Sequence, residues 1–114
     1  MKIRPFALAS IFALASCGGG GVKAPDAVQG VWGADCAAPF VAFKGGTIQM
    51  FADKATYPLK AAALNGPNLQ VEYDTPQGKI AETYVLDGET LRLDRGTYSG
   101  TEAVWHKQPM RKCG

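Results

Sequence analysis

Covalent chemistry has few residues to work with in this chain. It holds one histidine, His106, and after residue 16 a single serine, Ser99, so a nucleophile, base and acid set would have to join Ser99 and His106 with Asp94 or Glu102. Ser99 lies in Thr97-Tyr98-Ser99-Gly100, without the flanking glycines of a nucleophile elbow, and that stretch reads as a turn or bulge. The three cysteines, Cys17, Cys36 and Cys113, show no Cys-x-x-Cys redox spacing, and one histidine leaves a zinc site short of ligands. Glu72, Asp74, Glu82, Asp87, Glu89 and Asp94 alternate with apolar residues, which is the pattern of the solvent face of strands. A non-enzymatic protein is expected, with no catalytic residue, no metal and no cofactor.

The elements that carry these residues read as one all-β domain, from short alternating runs separated by turn residues. Val28 to Gly33, Pro39 to Lys44 and Thr47 to Phe51 are strand-like, and Gly45-Gly46 is a two-residue hairpin turn between the second and third. Leu69-Gln70-Val71-Glu72-Tyr73-Asp74 is the cleanest half-buried strand, with its apolar residues on one face. Thr75-Pro76-Gln77-Gly78 turns it into Lys79 to Leu86. Asp87-Gly88, a type I′ candidate, leads into Glu89 to Asp94, and a last strand runs through Ala103 to His106. Pro58-Leu59-Lys60-Ala61-Ala62-Ala63-Leu64 admits two readings. Proline, three alanines and Asn65-Gly66 suit a short helix, whereas seven residues is marginal for a helix and neighbouring strands offer pairing, which favours strand. The result is a small antiparallel barrel or sandwich of about seven or eight strands, closed so that few edges face the surroundings.

The first 21 residues are of another kind. Lys2 and Arg4 precede an apolar core from Pro5 to Ala15, the layout of a secretory signal, and the run is far shorter than the ~20 apolar residues that span a bilayer. A non-lipidated form cut near Ala15 or Ser16 fits the same layout. Leu14-Ala15-Ser16-Cys17 resembles the bacterial lipoprotein signal: an apolar residue, two small residues and a cysteine. The resemblance implies that Cys17 receives a diacylglyceryl group and further acyl chains such as palmitate, and becomes the first mature residue. Gly18, rather than Asp, at the next position implies the outer membrane, facing the periplasm, over the inner membrane. Residues 1–16 are then a signal peptide, 17–27 a lipidated glycine-rich tether of about 15–20 Å, and 28–114 a single β domain.

That reading leaves Cys36 and Cys113 as an even pair in an oxidising compartment, which argues for a disulfide bracketing the domain. It also changes the charge. Lys2 and Arg4 leave with the signal, so totals of 12 basic and 10 acidic residues become 10 and 10. A neutral chain with one local cationic cluster, Lys107, Arg111 and Lys112 beside His106, lacks the basic balance of a nucleic-acid binder. A basic cluster near an anionic surface also suits a lipid headgroup or peptidoglycan.

Gly30-Val31-Trp32 is similar to the Gly-x-Trp opening of lipocalin-like barrels and of small protease-inhibitor lipoproteins. That similarity implies a tryptophan plugging the closed end of a barrel, with Lys107 or Arg111 stacked on it. A core aromatic beside a permissive glycine accounts for the same three residues. Two functions are compatible with the whole chain. One is an envelope lipoprotein that binds or scaffolds other components through a surface of Tyr57, Tyr98, Trp105, His106 and Arg111, its partners being the membrane, envelope proteins or peptidoglycan. The other is an inhibitor of a periplasmic protease or lysozyme. Mass spectrometry of the mature N-terminus is expected to find an acylated Cys17; an unmodified terminus at another residue would overturn the lipoprotein assignment.

Overall fold

Along Leu69-Gln70-Val71-Glu72-Tyr73-Asp74 the odd-numbered residues are buried and the even-numbered ones exposed, so one strand face is core and the other solvent. A computed structural model describes residues 22–114; Cys17 and the rest of the expected signal lie outside the described residues. The described chain is all-β. Its strands are β1 (Gly30–Gly33), β2 (Val41–Lys44), β3 (Thr47–Met50), β4 (Ala55–Asn65), β5 (Asn68–Thr75), β6 (Gly78–Asp87), β7 (Thr90–Tyr98), β8 (Thr101–Val104) and β9 (Met110–Lys112). Strands β1 to β7 pair in succession as an antiparallel meander, and β9 inserts between β1 and β7 to close an eight-stranded barrel. Strand β8 pairs with β7 outside the ring. Among the described residues a 3-10 turn, Asp26–Val28, precedes β1.

The meander sends alternate turns to opposite ends. The end that carries Gly45-Gly46, Gly66-Pro67 and Gly88-Glu89 is filled: Val28, Trp32, Val41, Phe43, Ile48 and Leu91 are all essentially inaccessible there and in the barrel centre. The Trp32 indole N–H donates to the Val28 carbonyl at 2.9 Å, and the Lys112 Nζ stands 5.3 Å from the centre of a Trp32 ring. The stacked cation is thus Lys112, not Lys107 or Arg111. Register decides this, because β9 pairs Lys112 directly with Trp32, whereas Arg111 points to the other face and Lys107 precedes the strand.

Gly30 adopts φ +126°, and a Cβ there would lie 2.7 Å from the Gly114 carbonyl oxygen, which accepts from the Val31 amide at 2.8 Å. Any side chain at residue 30 would therefore push the C-terminus off β1. Residues 22–27, expected as tether, are part of the packed body. Ala24 is buried and its amide donates to the Gly45 carbonyl at 3.0 Å, while the Gln29 amide group bridges Ala24 and Gly45. The filled end of the barrel supplies apolar surface that the local sequence does not reveal.

Segment 58–64 is strand, within β4. Its partners are β3 along Ala55 to Pro58 and β5 along Leu59 to Asn65, so pairing of the alanines with β5 outweighs their helix propensity. A bulge between Leu59 and Ala61 inserts one residue, moving the inward positions from Leu59 to Ala62 and Leu64 and breaking the alternation in the sequence. The Asp87-Gly88 turn also differs in detail. Asp87 pairs with Thr90, so Gly88 and Glu89 are the central residues, and only Gly88 has positive φ, +61°, which is the II′ pattern. Ser99 and Gly100, both at positive φ, form the I′ type between β7 and β8.

Cys36 and Cys113 are bonded, with Cα atoms 5.5 Å apart across 77 residues of chain. The bridge ties the loop after β1 to the end of β9, the strand that closes the ring. A loop of this length restricts the unfolded chain by about 4–5 kcal/mol in the chain-entropy account. Replacing Cys113 or Cys36 by Ser is expected to lower the melting temperature by at least about 10 °C, followed by circular dichroism, given roughly 4–8 °C per kcal/mol for a domain of this size. An unchanged melting point would show that β9 holds without its bridge.

Candidate functional site

Glu82 is the one buried polar or charged residue among those described, at 4% exposure. The expectation that it faces solvent is corrected by its strand parity: Ile80, Glu82 and Tyr84 share the inward face of β6. Three phenol hydroxyls donate to its carboxylate. Tyr73 and Tyr84 reach Oε1 at 3.0 and 3.2 Å, and Tyr98 reaches Oε2 at 2.7 Å. The donors come from β5, β6 and β7, so the carboxylate links three adjacent strands.

Two local features aim Tyr98 at this group. A bulge opposite Thr83 and Tyr84 makes Asp94 an extra residue in β7, so Leu91 and Leu93 face inward before it and Gly96 and Tyr98 after it. The Asp94 carboxylate accepts from Arg92 and Arg95, each at 3.0 Å, and its carbonyl accepts from the Trp105 amide at 2.9 Å, which fixes the bulge. Gly96 stands directly across from Glu82, and a Cβ there would lie 2.5 Å from the Tyr98 hydroxyl oxygen. The missing side chain is the space through which the phenol reaches the acid.

Above this network the barrel opens. A cavity of about 380 Å³ is lined by the aromatic rings of Phe40, Tyr57, Tyr73, Tyr98 and Trp105, with Glu82 in its wall. Tyr57 stacks on Tyr73 with ring centres 5.6 Å apart, and its hydroxyl donates to Asp53 at 3.3 Å. Trp105 meets Tyr98 edge to face, its indole N–H donating to the Tyr98 hydroxyl at 2.8 Å. A second cleft of about 280 Å³ continues down the side between Ala34, Ala38, Gln108 and Met110, sharing Phe40, Leu93 and Lys107 with the first. The side cleft exists because β9 is three residues long. It pairs with β7 only at Thr90 and Leu91, and from Arg95 onward that edge of β7 pairs with β8 instead. The Lys107 ammonium sits where the clefts meet, 4.9 Å from the centre of the Phe40 ring and 5.5 Å from that of Trp105.

The structure therefore brings together Tyr57, Tyr98 and Trp105 from the expected surface, and adds Glu82, Tyr73, Phe40 and Lys107. His106 is exposed and does not line the cavity, and Arg111 is exposed on β9, paired with Gly33 and Thr90. Lys107 at the open end and Lys112 at the filled end do not form one basic patch. Nor is Ser99 joined to a base: its hydroxyl donates to the Gln77 carbonyl at 2.8 Å, and Asp94 is held by its two arginines. No family model matches the chain, and neither the curated proteins nor the solved structures contain a match to it.

Burial pushes the Glu82 carboxyl above the usual carboxylate range; the hydrogen bonds from Tyr98, Tyr73 and Tyr84 pull the other way and do not overcome it. Burial, followed by the Glu82 charge, raises all three phenols in turn. A raised carboxyl contributes stability that is fully present below its unfolded value, near 4.5, and is lost as pH rises through the folded value. Asp94, lowered by hydrogen bonds from Arg95 and Arg92, acts below 3.8 and so outside that window. The melting temperature of the native protein is expected to fall, relative to Glu82→Gln, as pH rises from about 4.5 towards neutrality. Parallel profiles of the two proteins would show that the carboxyl is not strained by its burial.

Proposed function

We propose that this protein is a lipid-anchored, non-enzymatic binding module of the bacterial envelope, and that the open end of its barrel is the binding site. The observation that carries the reading is the aromatic mouth: a cavity of about 380 Å³ on a rigid, disulfide-tied barrel, apolar over most of its wall with a few placed polar groups. Binding at such a place requires little ordering, because Tyr73, Tyr84 and Tyr98 are already held by Glu82 and Trp105 by Tyr98.

The path of the chain supports the anchor. Val22 packs beside the Gly45-Gly46 turn, at the filled end, so the four residues Gly18 to Gly21 would join Cys17 to the side opposite the mouth. At 3.3–3.6 Å per extended residue these four reach about 13–14 Å. A lipid on Cys17, in the outer membrane, would thus leave the mouth facing the periplasm and clear of the bilayer. The resemblance of Leu14-Ala15-Ser16-Cys17 to the lipoprotein signal is what supports that location.

In cells, a photo-crosslinking residue at Ala52 or Gln77, beside the mouth, is expected to capture an envelope component, and one at Glu89 beside the filled end is not. Equal capture from both ends would overturn the assignment of the site. Turnover by periplasmic proteases and lysozyme is expected to be unchanged by the purified protein; inhibition of any of them would replace this reading with that of an inhibitor.

A further inference from the structure

We infer that the mouth recognises an organic cation, an ammonium group carried on an apolar or aromatic body, and that Lys107 is a tethered stand-in for it. The inference rests on the mouth being the binding site and names what that site takes. Three observations point to positive charge. The cavity wall holds two carboxylates, Glu82 and Asp53, and neither has a cation within ion-pair distance among the described residues. Glu82 accepts two hydroxyls on Oε1 and one on Oε2, so one of its roughly four lone-pair positions is unused, and a group in a low-dielectric wall holds an opposite charge more strongly than one in water.

The rings around the opening are presented as faces and edges that suit a cation, since the face of an aromatic ring carries negative potential. The Lys107 ammonium demonstrates this use, lying over Phe40 and Trp105 with no carboxylate partner among the described residues. Lys107 belongs to the exposed stretch between β8 and β9 and reaches the junction of the two clefts from outside. A ligand ammonium entering the cavity takes over the rings that Lys107 covers, and Met50, Ile80 and Leu93 receive the apolar body. An anionic ligand would instead meet Glu82 and Asp53 with a single lysine to offset them.

The chain has two tryptophans, Trp32 sealed in the filled end and Trp105 at the mouth, so a change in tryptophan emission reports on the mouth. Titration with 2-phenylethylamine, 2-phenylethanol and phenylacetate, which share one ring and differ in charge, separates the classes. The expected result is saturable binding of the amine at least about tenfold tighter than of the alcohol, with phenylacetate weakest, as a cation–π contact with a nearby carboxylate supplies. Lys107→Met keeps the stem, removes the competing cation and is expected to tighten the amine by about threefold or more, the span of a single exposed cation–π contact. Glu82→Gln is expected to weaken it at least about tenfold. If Glu82→Gln does not fold, Lys107→Met and the three probes still decide. Equal binding of alcohol and amine overturns the cation but leaves the mouth as a site, and a preference for phenylacetate, or weaker amine binding by Lys107→Met, reverses the charge. Absence of any response to all three probes overturns the inference.

Discussion

Closure of the barrel depends on the pairing of β9, which has only three residues to satisfy two neighbours. Its register with β1 runs through Trp32↔Lys112 and Gly33↔Arg111, and with β7 through Thr90↔Arg111 and Leu91↔Met110. So few hydrogen bonds form a weak seam by themselves, each contributing about 1 kcal/mol net. The seam is reinforced from every side: Met110 is buried in the core, Lys112 covers Trp32, the Gly114 carbonyl takes the Val31 amide, and Cys113 is bonded to Cys36. The same shortness has a second consequence. A strand that ends after three residues seals one end of the barrel and leaves the other open along its side, which is where both clefts lie.

Glu82 gives that opening an ordered wall. A carboxylate inside a barrel meets a desolvation cost of several kcal/mol, and hydrogen bonds to a charged acceptor return about 1.5–3 kcal/mol each. Three phenols bring the two quantities to the same order, with burial still the larger influence on the carboxyl. The requirement for those donors orders the wall: Tyr73 then carries Tyr57, and Tyr98 carries Trp105. One buried carboxyl group thus fixes the positions of five aromatic rings. Gly96 is part of the same arrangement, because any side chain there would separate Tyr98 from the acid.

The strands that were legible are those with unbroken alternation. Leu69 to Asp74 and Lys79 to Leu86 read directly, as did the turns at Gly45-Gly46 and Ser99-Gly100, since period-2 burial and positive φ leave marks in local residue types. Local residue types say less where one inserted residue shifts the pattern. The bulge beside Lys60 and the three alanines leave 58–64 open to helix as well as to the favoured strand, which is the one formed, and the bulge at Asp94 makes β7 seem to end four residues early, concealing the route by which Tyr98 turns inward. Glu82 has the inward parity of Ile80 and Tyr84, whereas its acidic side chain is of the type that faces solvent. Strand β9 carries two basic residues among three and gives no sign of pairing that is local to it.

Composition and spacing were enough to determine the all-β class and, with Cys17 set aside by the resemblance of Leu14-Ala15-Ser16-Cys17 to a lipoprotein signal, the pairing of Cys36 with Cys113; they also singled out Tyr57, Tyr98 and Trp105, together with His106 and Arg111. Each of these follows from residue type, count or near neighbours along the chain. Tertiary structure alone decided that these three aromatics share one cavity, that Glu82 lies at its wall, that Lys107 and not His106 or Arg111 attends it, and that Lys112 covers Trp32. Those facts depend on register across strands far apart in sequence. A single inserted or omitted residue in a strand exchanges its inner and outer faces, and only the paired strand determines which of the two is realised.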